Sequence, residues 1–116
     1  MTSHAESSPV VSVVVPTRDR PAELRRCLAA LSRQSSAEPY EVVVVDDGSA
    51  DAEAVDTEVG ATPCARLVRL GHQGYGAARN AGTHAAHGSF VCFTDDDCEP
   101  APDWLSRLTA PWAEGA

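Results

Sequence analysis

Short runs of consecutive apolar residues alternate along this chain with segments whose apolar positions recur every three or four residues. The run VVSVVV (10–15) is continuous and β-branched, the mark of a strand covered on both faces. Pro16 is expected to end it, PTRDRP to form a turn, and Pro21 to open a helix. Leu24, Cys27, Leu28 and Leu31 follow at the i, i+3, i+4, i+7 spacing of one helical face. That helix should fade before Ser35, with Pro39 closing the linker. EVVVV (41–45) reads as a second buried strand that runs into DDGS, where Asp-Gly marks a sharp turn. Residues 50–59 carry a weaker helical pattern with Ala52, Val55 and Val59 inward. ARLVRL (65–70) reads as a third strand, Leu67 being its clearest buried position. The glycine-rich GHQGYG follows, then a helix from about Ala77 to His87. SFVCFT (89–94) predicts a fourth strand ending in DDD, and Pro102 and Asp103 open a last helix carrying Trp104, Leu105 and Leu108.

Strand and helix thus alternate four times, which is the βαβ pattern of a parallel sheet with helices on its faces. The fold class expected is α/β, a three-layer α/β/α sandwich around a mainly parallel, Rossmann-like sheet. In such folds ligands bind beyond the carboxyl ends of the strands. The polar segments PTRDR, DDGS, GHQGYG and TDDD follow those ends, so four strands deliver polar tips to one edge. Residues 1–9 read as a flexible N-terminal tail and residues 10–116 as one domain.

Composition narrows the ligand. The 116 residues are 43% hydrophobic and 22% charged, which suits a single globular domain. The net charge of -8 disfavours nucleic acid and anionic membrane as main partners. An anionic small molecule would need a local positive device such as a divalent cation, a helix N-terminus or a placed arginine. Cys27, Cys64, Cys92 and Cys98 form no CxxC and meet no histidine cluster, so a zinc site is not indicated. Cys27 and Cys92 fall in apolar patterns and read as buried free thiols, which suits a reducing compartment. The polar MTSHAESSP lacks the layout of a signal peptide, and the apolar runs are far shorter than a membrane span. A cytoplasmic location is expected, with the inner face of the membrane as the alternative.

The polar tips carry candidate chemistry. Asp95, Asp96 and Asp97 are three successive carboxylates after a buried strand, and oxygen ligands suit magnesium or manganese. Alternate side chains share a side, so Asp95 and Asp97 could face one ion, relieving their mutual repulsion. The competing readings are a solvated acidic turn and Asp97 as cap of the next helix. The position beside three other polar strand ends favours the ion. Of Asp46 and Asp47, one could accept from a base or ribose while the other ties down the Gly48 turn. GHQGYGAARN matches neither GxGxxG nor a Walker A loop, but its small residues permit close approach to a ligand. Arg79 and Asn80, one turn into the helix, could reach a phosphate or base, and a salt bridge is an equal reading for Arg79. His72, His84 and His87 read as surface or packing residues.

Taken together, VSVVVPTRDRPAELRRCLAAL, YEVVVVDDGSAD, GYGAARNAG and FVCFTDDDCEPAPDWL resemble the N-terminal half of family 2 glycosyltransferases of the GT-A fold. The resemblance runs from about Val10 to Leu108. It implies a nucleotide-diphosphate-sugar donor (UDP-, GDP- or dTDP-linked), a Mn2+ or Mg2+ ion, and inverting transfer to an acceptor hydroxyl. By position, Pro16, Thr17 and Asp47 would line the base and ribose pocket, with Arg18 beside them where many relatives have an aromatic residue. Asp46 would support the turn, and Arg79 would lie near the nucleotide or diphosphate. Asp95 and Asp97 frame the DXD motif, Asp97 making the direct metal contact and Asp96 lying near the ribose or sugar.

His72 stands in place of a common asparagine, and Cys98 where an aspartate is frequent. In the family the acceptor-binding half and the catalytic base lie well downstream of the DXD, so the chain reads as incomplete at its C-terminus and its base is unassigned. A bare sheet edge is then expected to cause self-association or to take a partner chain. Two other readings compete: a non-catalytic nucleotide-binding module, and a sugar nucleotidyltransferase, whose GxGxR-type loop PTRDRP does not supply.

Overall fold

The computed structural model describes residues 8–113. Most of the expected N-terminal tail, residues 1–7, therefore lies outside the described residues. The element order is β1 (Val11–Thr17), α1 (Pro21–Leu31), β2 (Tyr40–Asp47), α2 (Ala52–Gly60), β3 (Ala65–Leu70), α3 (Tyr75–Ala85), β4 (Phe90–Phe93) and α4 (Trp104–Ala113). The four strands form one parallel sheet in the order β3-β2-β1-β4. The two valine-rich strands lie at its centre, and that is why they are apolar on both faces.

Alternate residues of each strand feed two cores. Val11, Val13, Val15, Val42 and Val44 pack with Leu24, Cys27, Leu28 and Leu31 of α1, Val55 and Val59 of α2, and Leu105 of α4. On the other face Val14, Val43 and Val45 meet α3 at Ala78. Helices thus cover both faces, the three-layer sandwich expected from the pattern. Helix α3 has room because its sheet-facing residues are small. A Cβ added to Gly82 would come 2.3 Å from a methyl of Val14 and 3.1 Å from one of Val45. α1 and α4 are joined through Gln34, whose side chain donates to the Ala101 carbonyl at 2.8 Å and accepts from the Leu105 amide at 2.8 Å.

Several boundaries differ from expectation for physical reasons. β1 does not stop at Pro16 but continues to Thr17, pairing Pro16 with Val45 and Thr17 with Asp46. The ladder to β4 ends earlier, at Val14 and Phe93. Val14 accepts from the Thr94 amide on that side, so by alternation the missing N–H of Pro16 faces the β4 side beyond the ladder, where it breaks no ladder bond. α3 begins at Tyr75, two residues before the expected Ala77, and Gly74 at φ 104 precedes it in a conformation that favours glycine. β3 is an edge strand, and Leu67 is half-buried rather than fully covered.

A buried polar knot secures the other end of the sheet. Glu41 accepts from the Ser12 hydroxyl at 2.6 Å, from the His87 amide at 2.7 Å and from Arg66 Nε at 2.8 Å. Arg66 Nη2 also donates to the Ala85 carbonyl. Burial pushes the Glu41 carboxyl up, but Arg66, Ser12 and the His87 amide together hold it below its ordinary value. The knot fixes the C-terminus of α3 to β1, β2 and β3, and so sets where that helix begins at the opposite edge. All four cysteines are free, Cys27 and Cys92 being buried. Burial pushes their thiols up to about 12 and about 11. Among the described residues no helix is long and apolar enough to cross a membrane.

Candidate functional site

The carboxyl edge of the sheet is organised by its aspartates. Asp46 ends buried beneath the β2–α2 turn, where it accepts from the Ser49 amide at 2.9 Å and from Arg69 Nε at 3.3 Å. Arg69 also reaches Asp56 at 2.9 Å and the Ala52 carbonyl at 3.2 Å, so this carboxylate builds the turn and pins α2. Asp47 faces the other way. Its Oδ1 accepts from the Gln73 amide at 2.7 Å, and its Oδ2 from the Gly74 amide at 2.9 Å and faces His72 Nδ1 at 3.1 Å. Burial pushes the Asp47 carboxyl up, yet these donors outweigh it and hold the group below its ordinary value. Gly48 adopts φ 82, and a Cβ there would lie 2.7 Å from the His72 backbone nitrogen, so only glycine fits the crossing.

The β1–α1 loop is fixed to the β2–α2 loop by Asp19. Its amide donates to Ser49 Oγ at 2.9 Å and its carboxylate accepts from the Ala50 amide at 2.7 Å. Asp19 adopts φ 57, a left-handed conformation that aspartate tolerates better than most residues. Arg20, next in the loop, meets the turn after β4 at Asp96 and Asp97.

After β4 the chain makes a tight turn, the Cys98 amide donating to the Asp95 carbonyl at 3.1 Å. The turn sorts the three carboxylates. Asp96 is buried, accepting from the Thr17 hydroxyl at 2.9 Å and facing Arg20 Nε at 3.2 Å. Burial raises its carboxyl above the ordinary value, Asp97 and Glu23 acting in the same sense and Thr17 and Arg20 against it. Asp95 and Asp97 are exposed, and with Cys98 they bring ligand atoms within 4.8 Å of one another. Two carboxylates and a thiol are a donor set that fits a divalent cation, the carboxylates suiting Mg2+ or Mn2+ and the thiol adding a softer ligand. Asp97 does not cap the last helix, which starts at Trp104. Asp95 is held from the side by the Tyr75 hydroxyl, which donates to it at 2.8 Å.

A cavity of about 620 Å³ opens between these segments. Of the residues expected from the sequence, Pro16, Thr17, Arg18, Asp47, Asp95, Asp96 and Asp97 line it. Asp46 and Arg79 do not line it. Arg79 lies behind the wall, its guanidinium 4.2 Å from the centre of the Phe93 ring and 5.7 Å from that of Tyr75. Its Nε is buried and has no hydrogen-bond partner among the described residues. Arg20, His72, Tyr75 and Ala78 also form the wall and were not singled out for it. Position after a strand could have pointed to both Arg20 and His72, Arg20 sharing its loop with the chosen Arg18 and His72 lying in the glycine-rich segment after β3. Nothing in the spacing distinguishes Tyr75 until its helix is seen to start there.

A parallel α/β sheet with an acid-rimmed cavity at its carboxyl edge is the arrangement in which open α/β folds place a ligand site. The sequence pattern of glycosyl transferase family 2 matches residues 12–116, and the chain belongs to that family. It is 36% identical over 103 residues to glycosyltransferase AglE of Haloferax volcanii, covering 85% of this chain and 34% of that protein. Among solved structures, TarS 1-349 of S. aureus in complex with UDP superposes with a TM-score of 0.78 at 29% identity, over 90% of this chain and 32% of that one. The mannosyltransferase PcManGT of Pyrobaculum calidifontis, in complex with GDP-Man and Mn2+, gives 0.72 at 31% identity, over 85% and 33%. The chain therefore has the GT-A fold and spans about a third, or less, of the length of these proteins.

Proposed function

We propose that this chain supplies the donor-binding part of a metal-dependent, inverting glycosyltransferase that moves a sugar from a nucleoside-diphosphate sugar to an acceptor hydroxyl. The observation that carries the proposal is the cavity itself. It is large enough for a nucleotide, it lies where α/β sheets bind ligands, and its rim bears Asp95 and Asp97 with ligand atoms close enough to share one ion. Two structural neighbours, one in complex with UDP and one with GDP-Man and Mn2+, support the same ligand class.

In this reading Pro16, Thr17, Arg18 and Asp47 line the base and ribose region. Asp47 does two jobs. It anchors the β3–α3 loop through three contacts and keeps a remaining lone pair for the ligand. Asp46 acts from beneath by fixing the turn. Asp96, held by Thr17, borders the ribose or sugar. Arg79, whose Nε lacks an acceptor among the described residues, stands behind the cavity wall against the Phe93 and Tyr75 rings, so in this reading it supports the wall near the nucleotide or diphosphate rather than touching it. Asp95 and Asp97 would hold Mn2+ or Mg2+, which when bound neutralises charge on the departing diphosphate. We assign the general base and the acceptor pocket to the part of the relatives' length that this chain does not span. The four free thiols favour a reducing, cytoplasmic setting.

Calorimetric titration with UDP, GDP and dTDP, with and without Mn2+, tests the proposal. One nucleotide should bind in a Mn2+-dependent manner, and Asp97→Ala should abolish that dependence while leaving the fold intact. A folded chain that binds none of the three would refute the site assignment.

A further inference from the structure

Among the described residues, Arg20 is the arginine placed between two members of the aspartate turn. Its Nε lies 3.2 Å from the buried Asp96 and its Nη2 lies 3.2 Å from the exposed Asp97. It also lines the cavity. We propose that Arg20 is an internal counter-charge that engages Asp97 while the cation is absent, and that it yields Asp97 to the cation and turns the freed nitrogens to the donor's diphosphate. This deepens the donor-site reading above and rests on it.

The two contacts of Arg20 differ in strength. Asp96 is 10% exposed at its side chain and needs a cation beside it, so the Nε contact is the anchor. The Nη2–Asp97 contact joins groups that are 45% and 55% exposed, and exposed pairs are weak. Asp97 is also one of the three groups whose ligand atoms converge. A cation arriving there competes with the weaker contact alone. Once Asp97 has turned, the guanidinium stays fixed to Asp96 beside the new positive charge. The arrangement is unfavourable until an anion joins it, and a diphosphate that bridges cation and guanidinium satisfies both. Arg20 would therefore oppose binding of the cation alone and favour binding of cation and diphosphate together. With a net charge of -8 and an anionic ligand, such a device gives the pocket a positive group that appears on demand.

The test uses the full chain with Arg20→Gln and Arg20→Lys. Lysine keeps a charge for Asp96 but, as a single ammonium, cannot fork to Asp97, so it carries the test even where glutamine weakens the fold. Titration with Mn2+ alone should show binding roughly two- to fivefold tighter in both variants than in the parent. Titration with UDP, GDP and dTDP at saturating Mn2+ should show the preferred nucleotide binding about tenfold more weakly. Mn2+ affinity unchanged or reduced in both variants, with nucleotide binding retained by the parent, overturns the role of Arg20 and leaves the donor site standing. Absence of Mn2+ and nucleotide binding in the parent and both variants overturns the donor-site reading and this inference with it.

Discussion

Replacing Asp47 with Asn separates the anchoring role of this residue from its charge. Both side-chain oxygens now accept, Oδ1 from the Gln73 amide and Oδ2 from the Gly74 amide. An asparagine of the same shape keeps one acceptor and turns an NH2 toward the other amide, so one strong bond is lost and two donors face each other. A hydrogen bond to a charged group contributes about 1.5–3 kcal/mol, and leaving a buried amide unsatisfied costs about 1–3 kcal/mol. The carboxylate is nearly buried, so solvent offers little compensation. Loss of about 2–3 kcal/mol is expected at neutral pH, a large share of the stability of an ordinary domain.

The same contacts fix a pH dependence. The folded carboxyl titrates below the ordinary aspartate value of 3.8, so its contribution is complete above that value and is lost as the pH falls through the lower, folded one. Urea unfolding of both proteins at pH 7 and at steps down through the acid range measures the effect. The gap should be widest at neutral pH and should close toward acid, where the parent also loses its bond. Glu41, depressed in the same sense, remains in both proteins and cancels from the difference. Amide exchange supplies the local readout: Gln73 and Gly74 should exchange faster in the variant. A neutral-pH difference below about 0.5 kcal/mol, or a gap that widens on acidification, would refute the reasoning.

Gly82→Ala should destabilise the chain by about 1–3 kcal/mol in urea unfolding despite alanine's better helix propensity, because its Cβ would collide with Val14. Tyr75→Phe removes the hydroxyl that holds Asp95 while leaving an exposed ring, so Mn2+ affinity should fall a few-fold with little change in melting temperature. The β3 edge carries Arg66 and Arg69, whereas β4, the strand at the opposite edge, is apolar throughout, with Cys92 buried and Phe90, Val91 and Phe93 half-buried. Sedimentation of the 116-residue chain should accordingly show concentration-dependent self-association, and a monomer at every concentration would count against a sticky β4 edge.

How far the site could be read in advance follows from what kind of interaction places each residue. Val42 to Val45 and Leu24 to Leu31 announce their elements because burial imposes a period on the sequence, and the period survives without knowledge of partners. The convergence of the polar tips follows from topology once the strands are parallel. Side-chain direction is different, because it depends on contacts between loops distant in sequence. Asp46 and Asp47 are neighbours of one type, yet one goes under the turn to Ser49 and Arg69 while the other holds a loop 26 residues away. Asp96 is drawn inward by Thr17, 79 residues earlier, and that bond leaves Asp95 and Asp97 outward on the rim. His72 reads as a surface or packing residue and is indeed exposed, but its contact with Asp47 follows only once Gly48 lets the two loops meet. Arg20 is one basic residue among nine, and only the turn after β4 gives it two carboxylates. The sequence pattern therefore specifies the platform and the acids it carries, whereas pairing across the loops decides which acid ties the loops together and which is left on the cavity rim. Asp97 is at once the exposed partner of Arg20 and a member of the group of converging ligand atoms, and neither property is visible in the bare acidic triplet.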